Sequence, residues 1–181
     1  MITTDNRQLS GDNTGAIMTK DIEMQKDDFL FLREAIQLAK EAERRGNLPI
    51  GAVIVLDGQI IARGINTIWC PAIELTRHAE MEAFRSLPPH FQDRYAEMTL
   101  FTSLEPCLMC AGAILLYQIG RVVFGASDPF GGVACCVDSL PPYFKQVYSL
   151  TQWVGPALPE ECDPLYFLVQ ELEQHRSQDS T

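Results

Sequence analysis

Two short segments of the sequence carry side chains whose types and spacing could do chemistry. The first is His78-Ala79-Glu80 and the second is Pro106-Cys107-Leu108-Met109-Cys110. Histidine and cysteine are preferred ligands of Zn²⁺, and three protein ligands leave the fourth position open to water, as in catalytic rather than structural zinc sites. Glu80 adds a carboxylate that can move protons. The two segments therefore predict a hydrolytic zinc site.

The position of Glu80 between the predicted ligands indicates the type of reaction. Zinc lowers the pKa of a bound water towards about 7, which makes a nucleophile available at neutral pH. Glu80 could accept the proton of that water and deliver it onward. The expected reaction is attack on an amino-bearing ring carbon of a base, protonation of a ring nitrogen by Glu80 and loss of ammonia. Its net result is replacement of an amine by a carbonyl.

Each segment taken alone has other interpretations. A Cys-x-x-Cys pair also occurs in redox-active dithiols and in structural zinc modules. A structural site would need a fourth ligand, for which Cys70 and Cys135 are candidates. The combination of both segments, each at the predicted start of a helix, favours the catalytic interpretation. The four cysteines outside Cys107 and Cys110 are expected to be buried or free thiols, because free cysteine packs as a small hydrophobe.

The elements that must position these segments alternate between strand and helix patterns. Apolar runs at 50–56 and 59–63 flank Asp57-Gly58, which is a typical two-residue hairpin turn. The other predicted elements are a helix from Asp27 to Gly46-Asn47, a helix with Thr76 as N-cap that ends at Pro88-Pro89, strands at 98–103, 121–124 and 147–154, a helix opened by Pro106, and a C-terminal helix opened by Asp163-Pro164. This order predicts an α/β fold with a mixed five-stranded sheet flanked by helices.

Length and composition predict one compact domain. The chain has 181 residues, of which 46% are apolar. Residues 1–26 are polar and are expected to form a disordered tail, residues 27–175 the domain, and residues 176–181 a mobile C-terminus. The sequence contains neither an apolar run long enough to span a membrane nor a signal-peptide pattern. We therefore expect a soluble, cytoplasmic protein.

The charge of the chain bears on the substrate. The formal net charge is −10, and from Asp128 onward only Lys145 and Arg176 oppose eight acidic residues. Nucleic-acid affinity comes largely from Lys and Arg that neutralise phosphates, so this balance favours a small uncharged substrate. A local basic patch remains open as an alternative, and its candidate members are Arg63, Arg77, Arg85, Arg94 and Arg121.

The two segments together resemble the signature of the zinc-dependent cytidine and deoxycytidylate deaminase superfamily. Residues 48–55, 63–66, 102–107 and 119–126 are similar to the branch that contains tRNA adenosine deaminases, guanine deaminases and fungal-type cytosine deaminases. The resemblance extends over about residues 29–172. It implies a three-layer cytidine deaminase-like fold, with 27–175 as a zinc-dependent deaminase domain, and a homodimer paired through helices near the active site.

Carried over by position, the resemblance implies a role for each site residue. His78, Cys107 and Cys110 would hold one catalytic Zn²⁺, and Glu80 would be the catalytic proton shuttle. Asn66 matches the base-binding asparagine of the family, although it could instead be a turn residue after a strand. The backbone N–H of Ala79 would meet an acceptor on the substrate ring.

Two departures from the tRNA-acting relatives affect the predicted substrate. Residues 69–77, which lead to the histidine, form an apolar stretch that could wall a pocket. The loop Ser127-Asp128-Pro129-Phe130-Gly131-Gly132 lacks the basic residue typical of bacterial tRNA enzymes. We therefore expect a deaminase of a small substrate such as guanine, adenine or cytosine, with a tRNA-specific adenosine deaminase as the alternative. A non-catalytic deaminase-like subunit is a lesser alternative, disfavoured because Glu80 is present.

Overall fold

Five strands and five α-helices alternate through residues 24–178, which are the residues that the computed structural model describes. The elements are α1 (Asp28–Arg44), β1 (Gly51–Leu56), β2 (Gln59–Ile65), α2 (Ala79–Ser86), β3 (Thr99–Leu104), α3 (Leu108–Tyr117), β4 (Arg121–Ala126), α4 (Pro142–Leu150), β5 (Gln152–Val154) and α5 (Pro159–Gln178), with 3₁₀ segments at Pro89–Glu97 and Val133–Ser139. The predicted alternation of helices and strands is confirmed.

The strands form one mixed five-stranded sheet in the order β2-β1-β3-β4-β5. β1 pairs antiparallel with both β2 and β3, whereas β3, β4 and β5 run parallel. Asp57 and Gly58 join β1 to β2 with φ angles of 52° and 71°. Two positive φ values in a two-residue turn match the right-handed twist of a hairpin, as the sequence predicts.

Helices cover both faces of the sheet and give the predicted three-layer fold. A Cβ on Gly51 would overlap the backbone of α1, while a Cβ on Gly64 would overlap the carbonyl oxygen of Ala79 in α2. Gly64 pairs with Ala52, the neighbour of Gly51, so the two glycines face opposite sides of the sheet. α5 packs beside α1, and α3 packs beside α2. The absence of a side chain at Gly64 lets the first turn of α2 lie directly on the sheet.

The central strands form the hydrophobic core. Every residue of β1 and β4 is buried, as expected for strands that are covered on both faces and read as continuous apolar runs. A buried ion pair closes one end of this core, where the two terminal guanidinium nitrogens of Arg121, Nη1 and Nη2, donate to the Asp28 carboxylate at 2.7 Å. The pair connects the start of α1 to the start of β4.

The structure corrects the predicted start of the second helix. His78, rather than Thr76, is the N-cap of α2, with φ −69° and ψ 155°. The N–H of Thr67 donates to the carbonyl of Arg77 at 3.0 Å, so the chain before His78 is engaged with the preceding loop. The helix can begin only after this contact.

The last strand is shorter than predicted, because residues 142–150 form α4. Phe144, Val147 and Tyr148 are the less exposed side chains near its centre, and their i, i+3, i+4 spacing is helical. The C-terminal helix begins at Pro159 instead of Asp163, so Pro164 lies inside it. Glu160 and Glu161 favour this earlier start, because acidic side chains stabilise a helix N-terminus.

The predicted terminal segments lie mostly outside the described residues. This applies to residues 1–23 of the predicted tail and to residues 179–181 at the other end, whereas α5 continues to Gln178. Among the helices of residues 24–178, none combines the length and apolar character needed to cross a membrane.

Candidate active site

The three predicted zinc ligands meet between the N-termini of two helices. His78 and Cys107 are the N-caps of α2 and α3, and Cys110 lies in the first turn of α3. Their donor atoms all lie within 4.8 Å of one another. Within residues 24–178 this donor group contains neither Cys70 nor Cys135, the two candidates for a fourth ligand. The site therefore has the three-ligand composition of a catalytic zinc centre.

The donor geometry fits a tetrahedral ion. Cys107 Sγ lies 3.6 Å from His78 Nδ1. Typical Zn–S and Zn–N distances at a tetrahedral angle place the two ligand atoms about 3.6 Å apart. The three side chains could therefore hold a tetrahedral zinc ion, with His78 coordinating through Nδ1.

Of the three predicted ligands, Cys107 is the one whose pKa is shifted toward the deprotonated form that binds a metal. A hydrogen bond from Cys110, followed by one involving His78, lowers the pKa of the Cys107 thiol to about 4. The same contact with Cys107, together with burial, raises the pKa of Cys110, whose proton a bound metal ion would displace. The hydrogen bond to Cys107 also raises the pKa of His78. The helix N-termini add positive potential that favours thiolates here.

Glu80 is buried beside the predicted ligands. Its side chain is buried in the first turn of α2, and burial raises the pKa of its carboxyl group. Oε1 accepts a hydrogen bond from the Thr102 hydroxyl at 3.4 Å, and Oε2 accepts one from the Cys110 thiol at 3.4 Å. A buried carboxyl group with a raised pKa beside a metal site is suited to proton transfer near neutral pH.

Asn66 is fully buried just after β2 and has an unused donor. Its Oδ1 accepts the N–H of Ile68 at 3.2 Å, whereas its Nδ2 has no hydrogen-bond partner among the described residues. A buried donor without a partner costs free energy that a bound acceptor would recover. The N–H of Ala79, at the first position of α2, also lacks an intrahelical acceptor by helix geometry.

A cavity of about 330 Å³ opens above the ligands. His78, Glu80 and Cys107 contribute to its lining, whereas Asn66 and Ala79 are not among its lining residues. Asn66 instead contacts two residues of the wall. Its backbone N–H donates to the carbonyl of Ile50, and its Oδ1 accepts the N–H of Ile68. The structure thus brings His78, Cys107 and Glu80 together at the cavity wall, while Cys110 and Asn66 are buried beside it. The rest of the wall comprises Leu48, Leu104, Glu105, Asp128, Phe130, Gly131, Tyr166, Val169, Gln170 and Glu173.

Sequence reasoning missed the side chains that support the site from distant parts of the chain. Thr102 positions Glu80, and it stands with Ser103 as a pair of hydroxyl residues in the buried part of β3. Glu105 accepts the N–H groups of Asp128 at 3.0 Å and Ala134 at 2.9 Å. Polar residues within or beside a buried strand were the available signal, because buried polar groups need partners.

Comparisons with known proteins agree with this geometry. The family model described as the cytidine and deoxycytidylate deaminase zinc-binding region matches residues 25–126. The tRNA-specific adenosine deaminase of Bacillus subtilis is 47% identical over 139 residues, which cover 75% of this chain and 83% of the relative. That of Haemophilus influenzae is 46% identical over 137 residues, covering 75% and 78%. A structure solved in a study of A-to-I editing by tRNA:A34 deaminases at the wobble position has 34% identity and a TM-score of 0.62, covering 71% of this chain and 98% of that one.

Proposed function

The chain belongs to the cytidine and deoxycytidylate deaminase family, and from this premise we propose that it hydrolyses adenosine in tRNA to inosine and ammonia at the wobble position. It is a deaminase, an enzyme that acts on C–N bonds. The observation that carries the choice of substrate is 47% identity to a tRNA-specific adenosine deaminase across 83% of that relative. The comparisons therefore favour the alternative substrate over the small molecule that the charge predicted.

Net charge is a weak guide to the substrate for a physical reason. The value of −10 sums over the whole chain, whereas a polynucleotide meets only the surface around the cavity. Eight of the acidic residues lie in the C-terminal third, from Asp128 onward. Phosphate contacts depend on where individual Lys and Arg side chains lie, so an acidic total is compatible with a tRNA substrate.

The proposed chemistry assigns proton transfer to Glu80. Zn²⁺ held by His78, Cys107 and Cys110 would act as a Lewis acid that lowers the pKa of water. Glu80, buried and next to these ligands, would accept one proton from the attacking water and pass it to a ring nitrogen of adenine, and would then move the second proton, from the added hydroxyl group, to the departing amine. Water supplies the carbonyl oxygen of inosine, and the amino group leaves as ammonia.

Asn66 and Ala79 would orient the base. The Nδ2 group of Asn66 has no partner among the described residues and would donate to a ring nitrogen of adenine. The N–H of Ala79, at the start of α2, would donate to a second acceptor on the same ring. Asn66 directly follows β2 and Ala79 begins α2, so both donors are anchored at the ends of regular elements, and this supports productive alignment with Glu80.

A homodimer is part of the proposal, because α3 exposes an apolar face. Leu108 is 57% and Leu116 63% exposed, and an apolar groove lies between this helix and the segment that contains Leu140 and Phe144. Contiguous apolar surface of this type is typical of a protein interface. A second copy bound there would lie near the metal ligands, since α3 begins at Cys107.

Acting on tRNA would place the enzyme in the cytoplasm.

A substrate panel tests the proposal. Zinc-loaded full-length protein is incubated with a tRNA that carries adenosine at the wobble position, with the same tRNA carrying guanosine there, and with free adenine, guanine, cytosine and adenosine. Inosine in the tRNA and released ammonia are measured. We expect inosine only at the wobble adenosine and at least about 100-fold lower kcat/KM for the free compounds. Turnover of a free base without turnover of tRNA would overturn the proposal.

A further inference from the structure

Phe130 is an unusually exposed aromatic residue at the rim of the cavity. Its side chain is 84% exposed, which is the highest value among the exposed large apolar residues of the described chain. It nevertheless lines the same cavity as His78 and Glu80. A large apolar side chain that is exposed to water at a binding site more often contacts a ligand or partner than stabilises the fold.

The backbone that presents Phe130 is held in one conformation. Asp128 Oδ1 accepts the N–H groups of Phe130 and Gly131, both at 3.0 Å. The N–H of Gly132 donates to the carbonyl of Asp128 at 2.9 Å, and Glu105 accepts the N–H of Asp128. A Cβ on Gly132 would overlap the carboxyl group of Glu105, so the loop lies tightly against that side chain. Phe130 is therefore an exposed ring on a fixed support.

The same loop is tied to α5 across the cavity rim. The Tyr166 hydroxyl donates to Asp128 Oδ1 at 3.1 Å, and the amide of Gln170 donates to the Tyr166 oxygen at 2.9 Å. Tyr166 and Gln170 also line the cavity. Because the loop and the helix are joined, the backbone that carries Phe130 has a fixed position relative to the pocket, which lowers the ordering cost of a contact made by its ring.

The cavity volume limits what can enter. About 330 Å³ lies at the lower end of the range for small-ligand pockets, so it accommodates a single nucleoside and leaves the adjoining nucleotides of a polynucleotide outside. Those nucleotides must cross the rim. Bases that leave a regular stack are commonly received by aromatic side chains, since every base offers a π face.

We infer that Phe130 is a stacking platform for the base of a nucleotide adjacent to the target adenosine. This inference rests on the proposed RNA substrate and goes beyond it, because it assigns a substrate contact outside the pocket that holds the reacting base. A free nucleoside has no neighbouring base and gains nothing from the ring. Phe130 thus contributes to the preference for RNA over free nucleosides.

The test combines protein variants with altered RNA. An anticodon stem-loop with adenosine at the wobble position is compared with two versions that lack the base of the 5′ or the 3′ neighbour. Each is assayed for inosine formation with wild type, Phe130→Ala, Phe130→Tyr and the control Phe167→Ala, whose ring is 62% exposed on α5 and does not line the cavity. Zinc content and near-UV circular dichroism check that each variant is folded.

The expected pattern is specific to stacking. Phe130→Ala lowers kcat/KM for the intact stem-loop roughly 5- to 100-fold, mainly through KM, while Phe130→Tyr and Phe167→Ala stay within about twofold. Phe130→Ala has no further effect on one of the two RNAs that lack a neighbouring base.

Two results would overturn the inference while leaving the proposed function intact. The first is unchanged kcat/KM for Phe130→Ala on the intact stem-loop, and the second is an undiminished effect of the substitution on both abasic RNAs. If wild-type enzyme forms no inosine in the intact stem-loop, the proposed function itself fails, and the inference fails with it.

Discussion

The Thr102 hydroxyl donates a hydrogen bond to Glu80 Oε1 at 3.4 Å, which links the central strand β3 to the first turn of α2. Thr102→Val keeps the shape of the side chain but removes this donor. Because Glu80 would lose the hydrogen bond that holds Oε1, we expect kcat to fall about tenfold with unchanged zinc content. Steady-state deamination kinetics and metal analysis check this. Thr102→Ser, which retains the hydroxyl, should preserve most of the activity, and equal rates for the Val and Ser variants would contradict a positioning role.

The three-ligand zinc site predicts that substituting a ligand cysteine weakens zinc binding, whereas substituting a cysteine outside the site does not. Cys107→Ser removes a thiolate donor and should weaken zinc affinity at least about 100-fold, because even residues that only support a ligand cost 10- to 100-fold. Cys70→Ser is the control, because Cys70 is exposed and lies outside the donor group. Zinc per chain after dialysis against a mild chelator is the measurement. One retained ion in Cys107→Ser, or loss of the ion in Cys70→Ser, would refute the assignment.

The buried ion pair between Asp28 and Arg121 predicts a large effect on stability. Asp28→Ala leaves the Arg121 guanidinium, which is only 8% exposed, without its carboxylate partner. Removal of one partner from a buried pair typically costs about 3–5 kcal/mol. The control is Arg33→Ala on α1, which breaks the exposed pair with Glu161 and should hardly move the unfolding midpoint. Urea unfolding at fixed protein and zinc concentrations compares the two, and similar midpoints would contradict the prediction.

The apolar face of α3 predicts a change of oligomeric state. Leu116→Glu places a charge on this face and should convert a dimer to a monomer, since a buried unpaired charge strongly opposes association. Leu30→Glu is matched in exposure, at 60% against 63% for Leu116, but lies on α1 on the opposite side of the sheet. Light scattering after size-exclusion chromatography gives the mass. A wild-type monomer, or a dimer in Leu116→Glu, would exclude this interface.

The parts of the fold that follow from local patterns were predictable from the sequence. Turn chemistry predicts the hairpin at Asp57-Gly58, and apolar runs predict the buried strands. The start of α2 was not predicted correctly, because a backbone contact between Thr67 and Arg77 overrides the capping tendency of Thr76. The segment 147–150 favoured a strand by composition, but Val147 packs as part of a helix.

The candidate site likewise has features that the sequence predicts and features that it does not. The spacing of His78, Cys107 and Cys110 was sufficient to predict a metal site, since ligand identity and helix starts are local properties of the sequence. The contact of Thr102 with Glu80 joins residues from different elements. Such contacts depend on how the sheet and helices pack, so they became visible only in the folded structure.

The most direct test of the account compares inosine formation by wild type and Glu80→Gln on a tRNA with adenosine at the wobble position, with zinc content measured in the same samples. Glu80→Gln keeps the size of the side chain and leaves the three ligands in place. Both proteins should hold one zinc ion per chain, wild type should form inosine, and the variant should be slower by roughly 10²- to 10⁴-fold, because it lacks the group that moves the proton. Equal rates for the two zinc-loaded proteins, or no inosine with wild type, would contradict the account.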